Sequence, residues 1–304
     1  MITRYEHRGL LWVDAESPTE EETESLEKEF AIPSLVAEEM RAPSLRPKVD
    51  FYRDMLYLVL HFPAFRHSNG DSRNQEVDFI IGKRVLITVR YDDIDAIRNF
   101  AQEFEVNSIL EKSHMGDHAG YLFYFLARKL YRSLLHELEH IENRLGDAEA
   151  RIFRGDEENM VAVLSNVSRD LLNFKQVLRG HEDVLSSFER IGQKFFGDSF
   201  APYIGAILGE YVRVGNALDG HKETLHELRS TNDSLLSAKT NAVMKTLTAI
   251  TVGTFLPAIV AGLFSMKTVD TPLVGSAGDF WVLFAIMALL TAATFAFFSY
   301  KKWI

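Results

Sequence analysis

Between residues 136 and 140 the chain reads His136-Glu137-Leu138-Glu139-His140. On a helix this H-E-x-x-H spacing sets two imidazoles one turn apart on one face, able to bind zinc, with Glu137 placed as general base on a metal-bound water. A zinc metalloprotease is the enzyme reading this allows. Its surroundings weigh against it: Glu139 and Glu142 put charge where the helix of a zinc protease is apolar, residues 121 to 150 form a highly charged amphipathic pattern, and no clear third ligand follows. The expectation is an incidental match on a solvated face, with a non-catalytic regulatory metal site at His136 and His140 as the alternative. His221 and His226 read as solvated face. No P-loop, G-x-G-x-x-G or nucleophile elbow is present, which argues against an ATP-driven pump.

A second spaced set lies nearer the C-terminus. Ser237, Asn241, Thr248, Thr251, Gly262 and Ser265 recur at helical spacing, with Met244, Phe255 and Ala258 filling the gaps, so a helix gathers them into one stripe. In an apolar segment such a stripe is a pore-lining candidate. The competing reading is close packing, with Ser and Thr bonding their own i−4 carbonyls.

The elements that carry this stripe announce themselves by the absence of charge. Thr246 to Met266 and Phe280 to Tyr300 are each 21 residues without a charged side chain; at about 1.5 Å per residue each spans roughly 31 Å, the hydrocarbon thickness of a bilayer. Lys239 and Lys245 precede the first span, Lys301 and Lys302 follow the second, and the connection 267–279 holds one lysine and two aspartates. By the positive-inside rule both termini face the cytoplasm and the connection faces out, with Trp281, Tyr300 and Trp303 as interfacial aromatics. The N-terminus has no apolar signal-peptide core, so a multi-pass protein of the inner or plasma membrane is expected, its large N-terminal part in the cytoplasm. Two helices enclose no aqueous path, so conduction requires an oligomer.

The whole-chain averages hide this division. The 304 residues are 47% hydrophobic and 25% charged, with a mean hydropathy of −0.05. From residue 246 onward three lysines stand against two aspartates, a net +1, so residues 1–245 carry −11 of the total −10. An acidic body argues against nucleic acid as partner and is compatible with divalent cations. The absence of cysteine excludes a disulfide scaffold.

Before the spans the pattern is α/β, then helical. Leu10 to Val13, Met55 to Phe62, Val77 to Ile81 and Val85 to Arg90 read as strands, the last two joined by a turn at Gly82-Lys83. Ser17-Pro18-Thr19-Glu20-Glu21-Glu22 opens a helix, with Ser17 as cap and Pro18 at its first position. Residues 118–153 and 157–195 read as two long amphipathic helices broken at Gly155-Asp156, and a third pattern runs from about Pro202 into the first span as one rod of about 60 residues. The expected fold class is an α/β cytoplasmic domain (1–117), long cytoplasmic helices and stalk (118–245), and a transmembrane hairpin (246–304) with spans 246–266 and 280–300 and an external loop 267–279.

At this point the chain resembles the CorA family of divalent-cation transporters. The resemblance rests on Asn241-Ala-Val-Met244-Lys245-Thr-Leu247-Thr248, Phe255-Leu256-Pro257 and Ala261-Gly262-Leu263-Phe264, and on Arg46-Pro47-Lys48-Val49-Asp50 leading to Met55 through Pro63, with Trp12-Val13-Asp14 and Leu86-Ile87-Thr88-Val89. It implies a homo-pentamer in the lipid bilayer with a cytoplasmic funnel, a pore built from five first helices, gating by intracellular divalent ions, no enzyme activity, and no cofactor beyond transported or regulatory cations such as Mg²⁺ or Zn²⁺. Carried over by resemblance, Asn241 is a polar constriction, Met244, Leu247 and Leu256 are hydrophobic rings, and Ser265, Met266 and Lys267 form the mouth; Thr248 and Thr251 are pore-lining candidates from the stripe. There the family's Gly-Met-Asn is replaced by Ser265-Met266-Lys267, with Pro272 supporting the register. Lysine offers donors and a positive charge where asparagine offers a neutral acceptor, and Asp270 and Asp279 would offset that charge if they line the same mouth. The family places regulatory carboxylates between neighbouring cytoplasmic domains; Asp78, Asp92, Asp93 and Asp95 are the candidates, each otherwise an ordinary solvated acid. The expected function is an oligomeric divalent-cation channel with altered selectivity. The alternatives are a zinc transporter of the ZntB type, a weakly selective sensing or mechanically gated channel, and, remotely, the zinc metalloprotease.

Overall fold

A computed structural model of the protein describes residues 1–63, 74–105, 117–266, 278–301 and 303. The chain divides into two units, Met1–Arg151 with Ala162–Glu227, and Ile152–Val161 with Leu228–Ile304.

The first unit is built on a six-stranded sheet of β1 (Ile2–His7), β2 (Leu10–Glu16), β3 (Lys48–Tyr52), β4 (Met55–Phe62), β5 (Gln75–Ile81) and β6 (Val85–Arg90). Its order is β1-β2-β6-β5-β4-β3, with β2 and β6 parallel, Val13 opposite Ile87, and the other pairs antiparallel. The four central strands are those legible as apolar-rich runs, because a strand covered on both faces buries nearly every position, and the polar residues they carry, such as Asp14, Asp78 and Arg90, are buried with partners. Val13, Tyr57, Val59, Ile80, Ile87 and Val89 pack on one face with α1 (Glu20–Phe30) and α2 (Ser34–Glu39). On the other face Trp12 meets Phe100 of α3 (Asp95–Glu105), and Phe79 meets Phe123 of α4 (Gly120–Ile152). β1 and β3, not anticipated, are the sheet's edges; their half-exposed, charge-bearing sequences carry no apolar run.

Two local expectations are corrected. The cap of α1 is Thr19 and not Ser17: the Thr19 hydroxyl accepts from the Glu22 amide at 3.2 Å while the Glu22 carboxylate accepts from the Thr19 amide at 2.9 Å, a capping box. Ser17 instead adopts φ 41° and donates its hydroxyl to the Tyr91 carbonyl at 3.2 Å. The pattern over 157–195 is two helices, α5 (Glu157–Leu178) and α6 (His181–Phe196), broken where Gly180 packs against Pro47 so closely that a Cβ would lie 2.7 Å from the proline ring.

The rod is present as a single helix, α7 (Ala201–Phe264), and α8 (Asp279–Tyr300) follows. In the second unit, Lys239 of α7 donates to the Glu157 carboxylate at 3.1 Å. Gly253 of α7 lies against Phe295 of α8, with 3.1 Å from a would-be Cβ to the ring. Both helices are long and apolar enough to cross a membrane, and their most apolar stretches are only 11% and 6% buried within the protein. Core helices of a water-soluble fold would be mostly buried; these present their apolar surface outward.

Candidate functional site

Asn241, Met244, Leu247, Thr248 and Thr251 all lie on exposed surface of α7. At about 100° per residue they gather on one side of the helix, and Gly253 falls roughly 180° from the centre of that side. Ala249, close to Gly253 around the helix, is fully buried. α8 therefore packs behind the stripe and leaves its front open. The Thr248 and Thr251 hydroxyls each donate to the i−4 carbonyl at 2.8 Å, to Met244 and Leu247. This spends each hydroxyl's single proton and leaves the oxygen as an acceptor. Leu256 falls roughly 120° from the stripe's centre, on the α8 side. Ser265 and Met266 follow the end of α7 and are exposed, and Asp279 opens α8, its carboxylate accepting from the Phe280 amide at 2.7 Å. Lys267 and Asp270 lie outside the described residues.

The candidate acids do not converge. Asp78 is fully buried, so its reading as a solvated acid is corrected: it points inward from β5 and accepts from the Tyr57 hydroxyl at 3.1 Å. Burial, with the neighbouring Glu76 charge, pushes its carboxyl well above the usual range. Glu76 goes the other way. Burial would raise it, but His61 at 2.9 Å and the Ser44 amide at 2.8 and 2.9 Å favour the anion and hold its pKa below the ordinary value. Asp93 and Asp95 are exposed and paired to Arg98, and Asp92 offers its carbonyl to Arg90 at 2.8 Å. Arg90 also pairs with the buried Asp14 at 3.1 Å.

His136 and His140 stand exposed on α4. Among the described residues no group of three or more His, Asp or Glu side chains could hold a metal ion, so the protease reading has no third zinc ligand there. Sequence reasoning missed Glu210 of α7, buried in the first unit, where Arg128 and Arg132 of α4 meet it at 3.3 Å each and Arg213 at 3.2 Å. The signal was an acid at an otherwise apolar register of the stalk.

A helix-covered sheet feeding one long helix into an apolar two-helix hairpin defines a two-span membrane protein with a large water-facing domain. The family profile described as CorA-like Mg²⁺ transporter protein matches residues 7–302, and the chain belongs to that family. It is 24% identical over 277 residues to the cobalt/magnesium transport protein CorA of Thermotoga maritima, covering 90% of this chain and 78% of that protein. Its fold is similar to that of the complete CorA magnesium transporter of Methanocaldococcus jannaschii, with a TM-score of 0.83 at 20% identity, covering 99% and 93% of the two chains. The cytoplasmic domain of ZntB from Vibrio parahaemolyticus is similar with a TM-score of 0.62 at 12% identity, over 75% of this chain and 88% of that one. The relatives are metal-ion transporters and not enzymes.

Proposed function

We propose that the chain assembles as a homo-pentamer in the inner or plasma membrane and passes divalent cations along a path lined by five copies of α7, with both termini on the cytoplasmic side. The observation that carries this reading is the arrangement around α7: Gly253 meets Phe295 of α8 on one side, while Asn241, Met244, Thr248 and Thr251 lie exposed on the other. A polar stripe backed by a lipid-facing helix is what each subunit of a ring needs to contribute. Leu247 and Met244 supply apolar rings able to gate by dewetting, and the threonine oxygens supply neutral acceptors. Ser265, Met266 and Lys267, with Asp270 and Asp279, form the outer mouth, where five lysines make entry of Mg²⁺ less favourable than an asparagine ring would.

The test is flux. Purified protein in liposomes loaded with Mg²⁺- and Zn²⁺-sensitive dyes is expected to pass at least one of the two ions, and its native mass in detergent to be five times that of the chain. Which dye responds separates a magnesium from a zinc transporter. No divalent flux in wild type and Lys267→Asn alike would overturn the reading.

A further inference from the structure

A cavity of about 740 Å³ in the first unit lies between α3 and α4, with His136, Glu139 and His140 on one wall and Asp95 and Glu103 on the other. His136 Nδ1 is 2.9 Å from Glu139 Oε2. An ionised carboxylate only accepts, so the imidazole donates from Nδ1 and keeps its lone pair on Nε2. A carboxylate on the distal nitrogen is the arrangement by which metal-ligating histidines are oriented and made more basic. The His136 side chain is 81% exposed, so Nε2 needs no rearrangement of the core to reach a ligand. His140 follows one turn later, also exposed, its Cβ about 5–6 Å away by helix geometry. Imidazoles at this i, i+4 spacing lie on one face of the helix and can share an ion, at the usual Zn–N distance of about 2.0–2.1 Å. The cations lining the cavity are already paired, Lys129 with Glu103 across it, and Arg128 and Arg132 with Glu210.

We propose that His136 and His140, with Glu139 holding His136, form a two-imidazole site on α4 for a transition-metal dication of the Zn²⁺, Ni²⁺ and Cu²⁺ class. It does not depend on the pore reading. Imidazole suits these ions, whereas Mg²⁺ demands a shell of oxygens, so the site reports transition metal in the presence of Mg²⁺. With two protein ligands and water completing the shell it binds reversibly, in the range of a sensor, unlike a closed structural zinc site.

The probe is Cu²⁺ added to the untagged full-length protein in detergent, read by pulsed electron paramagnetic resonance, with Zn²⁺ affinity read by calorimetry. One Cu²⁺ per chain is expected to show two coordinated imidazoles. His136→Gln or His140→Gln leaves one, and weakens Zn²⁺ binding at this site at least tenfold. Glu139→Gln keeps both imidazoles and weakens Zn²⁺ about tenfold, the cost of losing an outer-shell partner. Millimolar Mg²⁺ leaves Zn²⁺ bound. The variants lie on solvated surface, and circular dichroism with thermal melting verifies their fold. Unchanged Cu²⁺ spectra and Zn²⁺ affinity in the His136→Ala/His140→Ala double variant would overturn the proposal, as would displacement of Zn²⁺ by equimolar Mg²⁺.

Discussion

The ring of His181 bonds the main chain of His61: Nε2 lies 2.7 Å from the His61 carbonyl oxygen, while Nδ1 lies 2.8 Å from the Tyr131 hydroxyl. A carbonyl only accepts, so Nε2 carries the proton and Nδ1 takes the hydrogen of Tyr131. Both ring nitrogens are thereby satisfied in the neutral form. His181 is fully buried, and burial, partly offset by the His61 carbonyl, lowers its pKa to about 4. The first residue of α6 is thus fixed to β4 and α4 together.

The acid limb of stability follows from this. The neutral ring's contribution is complete above the unfolded pKa of about 6.5 and is lost as pH falls through about 4, some 3 kcal/mol in all. His61, raised by its Glu76 hydrogen bond against the lowering effect of burial, acts at higher pH: its share is present below about 6.5 and fades as pH rises through its folded value. Wild type and His181→Gln, which never ionises, are therefore expected to converge in melting temperature between pH 6.5 and 4. A gap that stays constant with pH would show that His181 does not titrate in the folded protein as described.

The break between α5 and α6 gives a steric prediction. A Cβ at Gly180 would sit 2.7 Å from Pro47 Cγ and 3.3 Å from its Cβ and Cδ, and a proline ring has little freedom to yield. Gly180→Ala should cost about 1–3 kcal/mol by overpacking, and the double variant Gly180→Ala/Pro47→Ala should recover most of it. Chemical denaturation of the two variants measures both terms, and additivity of the single effects would count against direct contact.

What the sequence made legible follows burial and charge. β4, β5 and β6 are rich in apolar residues because helices cover both faces of the sheet, and the spans showed because lipid excludes charge over a fixed length. β1, whose Tyr5 and Glu6 alternate half-buried and exposed, had no such signal. Gly180 was hidden because its role depends on Pro47, 133 positions earlier in the chain. Asp78 read as a solvated acid because a carboxylate's partner, here Tyr57 on the neighbouring strand, is set by register, which one-dimensional spacing does not contain. On α7 the stripe was legible from its period, whereas which side of the helix faces α8 required the contact of Gly253 with Phe295.

The buried pair of Arg90 and Asp14 tests the sheet's interior. Arg90 Nε meets Asp14 at 3.1 Å and the Thr88 hydroxyl donates to the same carboxylate at 2.6 Å. Removing the guanidinium in Arg90→Met leaves a buried anion without its countercharge, expected to cost about 3–5 kcal/mol. Asp14→Leu/Arg90→Met removes both charges and should be closer to wild type than Arg90→Met alone. If the double variant is the less stable of the two, an uncompensated buried anion is not what destabilises Arg90→Met.

Lys267, proposed to stand at the outer mouth, gives a functional prediction. In the proposed pentamer, five ammonium groups about 8 Å from a divalent ion at the mouth would each oppose it by about 1 kcal/mol in water-like dielectric, about 5 kcal/mol together before salt screening. A Debye length of about 8 Å at physiological ionic strength removes a large part of this, and Asp270 and Asp279 would offset more if they line the same mouth. Lys267→Asn is therefore expected to raise divalent flux in liposomes about tenfold or more, and the excess over wild type to shrink as monovalent salt is increased. Lys267→Arg, which keeps the charge, should leave flux near wild type. Equal flux in wild type and Lys267→Asn at low salt would place the lysine away from the ion's path, as when its stem lies along the lipid and its amine reaches the headgroups. Selectivity would then be set further in, at Thr251, Thr248 and Asn241.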